Sequence, residues 1–181
     1  MSLRAFETGL HKIESSLDRK QIYNIMYDLI KSGKIAGSRV LKIIINNLEH
    51  ETAVDVLQDI LTSVVPAILG KFLQPDVFEI RNTQMFDLAL KIMQSGTFNK
   101  FASAMETLLT SAIGFSESES SAKLVYKWFV TGKVTDSAGN PIEGTDINVE
   151  VRHTMVRKIF SSKAIPGEHK KECFASLAKL D

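Results

Sequence analysis

Histidines and carboxylates are the residues of this chain that could hold a catalytic metal ion. His50 and Glu51 begin the pattern His-Glu-x-x-His, but Val54 stands where the second zinc-binding imidazole is required. The other three histidines have no second histidine at the spacing of one helical turn. The sequence therefore predicts no metal site and no bound cofactor in this chain, and surface or hydrogen-bonded roles for its histidines.

Nucleophilic catalysis and nucleotide binding lack their usual patterns. Cys173, the single cysteine, lies in the charged segment Lys170–Cys173, and no serine stands in a Gly-x-Ser-x-Gly turn. The 10 glycines form no phosphate-binding cluster. We therefore expect no catalytic residue in this chain, and a lone cysteine also excludes an internal disulfide.

The charge balance disfavours polyanionic partners. Lys and Arg number 22 against 21 Asp and Glu, so the chain has no broad positive field for nucleic acid or an anionic membrane. The basic residues of one predicted helix form a solvated face: Arg152, Arg157, Lys158 and Lys163. No apolar run is long enough to span a membrane, and no secretory leader is recognisable, so a cytoplasmic location is expected.

Arg152 is the charged residue that fits a solvated face least well. It falls on the same helical stripe as Met155, Val156 and Ile159, which faces the apolar side. A guanidinium there extends along the apolar surface to reach water, forms an ion pair with a carboxylate such as Glu143 or Asp146, or lines a wet cavity and faces a ligand. The sequence leaves a structural role and a ligand-facing role both open.

Helical periodicity accounts for most of the chain. Apolar residues recur at helical spacing over 17–31, over 38–48 with Ser38 as the cap, and from Thr52 until Pro66 kinks that helix. Further helices are predicted from Thr83 and from Thr97, and the serine-rich run 116–120 can cap the next one. Asp146 or Asn148 can cap a helix to Ser161, and Pro166 starts a last one that is still periodic at Leu180.

Three of these helices share one ending. Gly33, Gly96 and Gly132 each follow Ser or Thr and precede an apolar residue by two positions, as in a Schellman motif. The unequal spacing indicates irregular helix pairs, although glycine also ends many unrelated helices. We predict an all-α fold of stacked helical hairpins, a HEAT-like α-solenoid, with a short β-hairpin or ordered loop near 132–144. Residues 1–181 are expected to form one domain.

Several sequence runs resemble the C-terminal helical domain of aminopeptidase N-like zinc metallopeptidases, a domain also found in endoplasmic-reticulum aminopeptidases. The runs in the second half of the chain are Tyr126–Asp136, Gly139–Gly144, Arg152–Ser162 and Ile165–Pro166. Those in the first half are Leu17–Lys20, Tyr27–Leu29, Ser32–Ile35 and Asn47–Thr52. They occur in the order in which that domain sets out its helix pairs, and the likeness covers nearly the whole chain.

This resemblance implies a part of a larger enzyme that removes N-terminal residues from peptides. In that family the catalytic domain carries the zinc motifs, whereas the C-terminal domain encloses the active-site cavity and helps hold the peptide. The implied partners are the catalytic domain of the same parent chain, with its zinc, and the peptide substrate, for which Arg152, His153 and Arg157 are the candidate contacts. A free-standing HEAT-like adaptor is the main alternative, and an independent enzyme would need an acid-base pair formed by distant residues.

Overall fold

A computed structural model describes residues 3–177 of the chain, and it is helical. The all-α prediction is therefore confirmed for these residues. The helices are α1 Leu3–Gly9, α2 Ser16–Lys31, α3 Gly37–Leu48, α4 Val54–Asp59, α5 Val65–Lys71, α6 Pro75–Gln94, α7 Ala102–Phe115, α8 Glu119–Thr131, α9 Val149–Ser161 and α10 Gly167–Leu177. The prediction that the last helix continues to Leu180 falls outside the described residues.

The chain divides into two compact units, 1–81 and 82–181, and the boundary falls within α6. Each unit has its own buried apolar residues, with Leu41, Ile44 and Leu57 fully buried in the first, and Leu108 and Trp128 in the second. Among residues 3–177 no helix is both long and apolar enough to cross a membrane. The expectation of one domain stays a prediction.

In the first unit, the segment between α2 and α3 contains the predicted glycine ending at Gly33. Gly33 adopts a left-handed conformation with φ 71°, and its N–H bonds to the carbonyl of Ile30 at 2.9 Å while Lys34 N–H bonds to that of Leu29 at 2.9 Å. These two bonds are those of a Schellman motif. Ile35, two positions after the glycine, is buried.

The predicted cap of α3 is wrong. The helix begins at Gly37 with Ala36 at the cap position, so Ser38 already lies inside the first turn. A Cβ atom at Gly37 would lie 2.7 Å from the carbonyl oxygen of Phe72, so only glycine allows this close approach. Packing of the backbone therefore sets the start of α3, in place of a side-chain cap.

The irregularity predicted at Pro66 takes the form of a π-helical turn. The residues Ile60–Val64 form this turn between α4 and α5, and Pro66 lies in the first turn of α5, where its missing N–H is tolerated. The apolar stripe predicted for this segment is buried. The short helix α1 and the 3₁₀ turn Leu10–Lys12 had no counterpart in the prediction.

Two predicted helix starts are corrected in α6 and α7. Helix α6 starts at Pro75, well before Thr83, because proline and Asp76 suit a first helical turn. Helix α7 starts at Ala102, after Thr97, because a turn follows Gly96 and buries Phe98 completely. In both places the apolar stripe predicted the helix correctly, and local turn geometry determined a different first residue.

The remaining elements of the second unit follow the prediction. Ser118 caps α8 by accepting the N–H of Ser121, and Asn148 caps α9 by accepting that of Val151. Gly96 and Gly132 are left-handed, with φ of 74° and 67°, and Val134 is buried like Phe98. The left-handed glycine and the buried apolar residue two positions on are therefore confirmed at all three endings. The paired hydrogen bonds of a Schellman motif are formed at Gly33, whereas Gly132 N–H bonds to the carbonyl of Trp128 at 2.9 Å, as in the simpler left-handed ending.

The non-helical passage between Gly132 and Gly144 is a tight hairpin. Asp136 N–H bonds to the carbonyl of Asn140 at 2.9 Å, and Ile142 N–H bonds to that of Val134 at 3.0 Å. Trp128 anchors this hairpin to α8, since its indole Nε1–H donates to the Thr135 carbonyl at 2.9 Å. The predicted hairpin or ordered loop is therefore present as a single antiparallel bridge.

Candidate functional site

A cleft in the second unit contains Arg152, the residue that the sequence analysis singled out. The cleft has a volume of about 270 Å³ and is formed by side chains of α8, α9 and α10. Its lining residues combine a guanidinium, a carboxylate, a phenol, a thiol and a hydroxyl with two apolar side chains: Arg152, Glu172, Tyr126, Cys173, Ser176, Phe129 and Val130. Such a mixture suits a ligand with both polar and apolar parts.

The Arg152 guanidinium lies over the ring of Phe129, 5.8 Å from the ring centre. Within residues 3–177 Arg152 forms no ion pair with Glu143 or Asp146, so the cavity-lining alternative describes its position. A cation–π contact leaves the N–H donors at the edge of the guanidinium directed away from the ring. These donors can therefore bind a carboxylate that enters the cleft.

The two other candidate contacts face a different direction. His153 and Arg157 are four residues apart on α9, so they share one face of the helix, whereas the side chain of Arg152 projects from another. His153 is half-buried and Arg157 is exposed, and neither lines the cleft of Arg152. The fold does not bring the three predicted contacts together, and their role in binding stays a prediction.

Cys173 is buried, although it lies in a charged segment of the sequence. The residue is only 1% exposed, and burial, followed by the negative charge of Glu172, raises the pKa of its thiol. A protonated, buried thiol is a poor nucleophile. Beside it, burial raises the pKa of Tyr126, whose ring stacks on His169 at 5.0 Å. The thiol and the phenol therefore add neutral groups to a wall of the cleft that also contains the Glu172 carboxylate.

A larger cleft of about 410 Å³ in the same unit includes Lys158 and Lys163. Lys158 Nζ donates to Glu117 Oε1 at 2.6 Å and to the carbonyl of Gly114 at 3.0 Å, so its charge is neutralised and it caps the last turn of α7. Lys163 is exposed. Lys158 therefore has a structural role, contrary to the solvated face predicted for it, whereas Lys163 is solvated as predicted.

Glu51, the carboxylate of the incomplete zinc pattern, is engaged in a buried ion pair. Arg19 donates from Nε to Oε2 of Glu51 at 2.9 Å and from Nη2 to Oε1 at 2.5 Å. Oε1 of Glu51 also accepts the backbone N–H groups of Thr52 and Ala53, just before α4. Both side chains are less than a tenth exposed, at 8% and 3%. Glu51 is thus a structural residue that fixes the α3–α4 connection to α2.

The first unit also brings two histidines together, which the sequence analysis did not foresee. The rings of His11 and His50 have centres 4.5 Å apart, and His50 Nε2 lies 3.2 Å from Glu49 Oε1. The pair lies at a cleft of about 490 Å³. Nothing in the sequence pointed to this pair, because its members come from separate elements with no motif spacing between them.

Comparisons of this chain with protein-family models, with curated proteins and with solved structures found no match. The interpretation of the Arg152 cleft therefore depends on its own geometry and on the resemblance of the sequence motifs.

Proposed function

We propose that this chain is a non-catalytic part of a zinc-dependent aminopeptidase, and that it encloses the active-site cavity and helps to hold the peptide substrate. In this proposal the zinc and the catalytic residues belong to another domain of the parent chain. The helix pairs stack as a HEAT-like solenoid, and the partners of this chain are the parent's catalytic domain and the peptide. The proposal rests on the motif resemblance and on the cleft of Arg152.

The helix endings support the resemblance. The motif at Gly132 lies within one of the runs that resemble the aminopeptidase domain, and so do Gly33 and the hairpin residues Gly139 and Gly144. All four glycines have positive φ, between 67° and 92°. These motif glycines are therefore required by the backbone, as is expected when a motif marks helix ends and tight turns.

The Arg152 cleft carries the proposal for peptide binding. Arginine binds carboxylates through two parallel N–H donors, and here Phe129 holds the guanidinium from one side. A peptide offers a terminal carboxylate together with apolar side chains, which fits the mixed lining of the cleft. We assign the contact to the peptide's terminal carboxylate to Arg152, with His153 and Arg157 as further candidate contacts outside the cleft.

Replacing Arg152 with Met tests this assignment on the chain itself. We expect the variant to bind a fluorescent peptide with a free terminal carboxylate about tenfold more weakly than the unmodified chain, because a bidentate ion pair is lost. Binding of the same peptide with an amidated terminus should not change. Fluorescence anisotropy measures both affinities.

Arg39→Met, which removes an exposed arginine of the first unit, is the matched control. This control should bind both peptides like the unmodified chain. Equal losses for the acid and the amide in Arg152→Met, or no loss for either, would contradict the assignment of the carboxylate to Arg152.

A free-standing adaptor is the second candidate, and one surface feature favours it. Phe160 and Phe174 are 45% and 62% exposed, and their rings meet edge to face with centres 6.1 Å apart on α9 and α10. Exposed aromatic pairs are typical of protein-binding surfaces. A parent coding sequence without metallopeptidase motifs would favour the adaptor over the aminopeptidase.

A further inference from the structure

The cluster of His11, Asn47 and His50 in the first unit is independent of the peptide cleft. His11 lies in the 3₁₀ turn Leu10–Lys12, Asn47 lies in the last turn of α3, and His50 follows that helix. Asn47 is only 1% exposed, whereas the side chain of His50 is 50% exposed. The cluster therefore has a rigid base within the unit and an accessible rim.

Asn47 fixes the tautomer of His11. The amide Nδ2 of Asn47 donates to the carbonyls of Ile43 at 2.8 Å and Phe6 at 2.9 Å, so its oxygen must face the histidine. That oxygen lies 2.8 Å from Nδ1 of His11. An amide oxygen can only accept, so Nδ1 carries the proton and Nε2 keeps its lone pair. Metal-binding histidines are oriented by the same kind of hydrogen bond.

His50 supplies a second imidazole in reach of the first. Its Nε2 lies 3.2 Å from a carboxylate oxygen of Glu49, so a neutral ring donates there and keeps a lone pair on Nδ1. Two imidazoles that bind one ion at about 2 Å have ring centres about 4.5 Å apart when the two bonds meet near a right angle. The observed separation is 4.5 Å. The site requires the His50 ring to turn its Nδ1 toward Nε2 of His11, and the side chain, 50% exposed, has room to do so.

We propose that His11 and His50 form a two-imidazole site for a borderline divalent transition-metal cation, with Cu²⁺ bound most tightly. Imidazole is a preferred ligand for this class, and Cu²⁺ stands at the top of the affinity order. Within residues 3–177 no group of three or more His, Cys, Asp or Glu side chains is arranged to hold a metal ion. Water from the adjoining cleft therefore completes the coordination, and the site is open and exchangeable.

This site differs from a catalytic zinc centre and does not depend on the aminopeptidase proposal. Glu51, which stands at the general-base position of the incomplete zinc pattern, is held by Arg19. The carboxylate beside the proposed site, that of Glu49, bonds to Nε2 of His50 at 3.2 Å and orients that ring. Copper binding and peptide binding can therefore fail or succeed separately, since they use different units of the chain.

Titration of the full 181-residue chain with Cu²⁺ tests the site. We expect one equivalent to bind with two equatorial imidazole nitrogens, counted by electron spin-echo envelope modulation. His11→Gln and His50→Gln should each weaken binding about tenfold or more and leave one imidazole on the ion. His169→Gln, which removes an imidazole in the second unit, is the matched control and should change neither quantity.

The results of this titration distinguish a specific two-histidine site from adventitious binding of Cu²⁺ to the surface. A single imidazole in the unmodified chain, or a His50→Gln variant that binds Cu²⁺ like the His169→Gln control, would overturn the proposal as adventitious surface binding. His50→Gln is the decisive variant, because half of the His50 side chain is exposed and its ring, unlike that of His11, is not a partner of the Asn47 amide. The backbone bond from His50 N–H to the Asn47 carbonyl, at 3.1 Å, is retained in the variant. Circular dichroism of each variant verifies that the helices are retained.

Discussion

Arg19→Met is expected to lower the free energy of unfolding by about 3 to 5 kcal/mol, because it leaves the carboxylate of Glu51 buried without its partner. Arg19 also donates from Nη1 to the carbonyls of Ile13 at 2.6 Å and Glu14 at 3.0 Å. The substitution therefore removes two connections at once, one to the segment before α2 and one to the segment before α4. Chemical denaturation followed by the helical circular dichroism signal measures the loss.

Arg39→Met is the matched control for this loss, since it breaks an arginine–glutamate pair of the same unit at the surface. Arg39 bonds to Glu7 at 3.2 Å, and the two side chains are 47% and 27% exposed. We expect this control to change the free energy of unfolding by less than about 1 kcal/mol. Equal effects of the two substitutions would mean that the Arg19–Glu51 pair is solvated and not a structural connection.

Trp128→Ala is expected to destabilise the second unit by about 3 to 5 kcal/mol, the usual effect of removing a large buried aromatic side chain. Trp128 is fully buried, and its ring stacks on Phe86 with centres 6.0 Å apart. The substitution also leaves the Thr135 carbonyl without the indole N–H and detaches the 132–144 hairpin from α8. Denaturant unfolding monitored by circular dichroism measures the effect.

Trp128→Phe separates packing from hydrogen bonding in this effect. It keeps an aromatic ring beside Phe86 but removes the donor to Thr135, so we expect a smaller loss, with about 0.5 to 1.5 kcal/mol of it due to the hydrogen bond. Hydrogen exchange at the amide of Ile142 should increase in both variants. If Trp128→Ala costs no more than Trp128→Phe, burial of the indole does not stabilise this unit as described.

Periodicity and glycine chemistry made most of the helical architecture predictable. The apolar stripe of α3 and the left-handed ending at Gly33 each depend on neighbours within one or two turns, so local sequence carries them. The cap of α9 by Asn148 belongs to the same class, because the cap and its N–H partner are three residues apart. Such features need no knowledge of the rest of the fold.

The errors in predicted helix starts arose where contacts with distant residues or an alternative turn set the first residue of a helix. Ser38 was a reasonable cap, but contact of Gly37 with the Phe72 carbonyl set the start of α3. Thr97 could have begun α7, but burial of Phe98 in a turn after Gly96 delayed that helix. A single sequence does not contain these tertiary contacts in readable form.

The candidate sites also differ in how far local sequence could predict them. The position of Arg152 on an apolar stripe indicated an unusual environment for its charge. The fold was needed to show that Arg152 lines a cleft and forms a cation–π contact with Phe129. The His11–His50 pair had no signal at all, because the buried Asn47 joins two elements that are distant in the chain. Chemistry that depends on one helix was predictable, whereas chemistry assembled between elements was not.

The most direct measurement for the aminopeptidase proposal is kcat/KM of the parent enzyme with and without this 181-residue region, on a long peptide and on a single-residue anilide. We expect the deletion to reduce turnover of the peptide about a hundredfold, because the substrate loses its positioning, with a much smaller effect on the anilide. The isolated region should cleave neither substrate, with or without added Zn²⁺. Unchanged peptide turnover after the deletion, or peptide cleavage by the isolated region, would contradict the proposal.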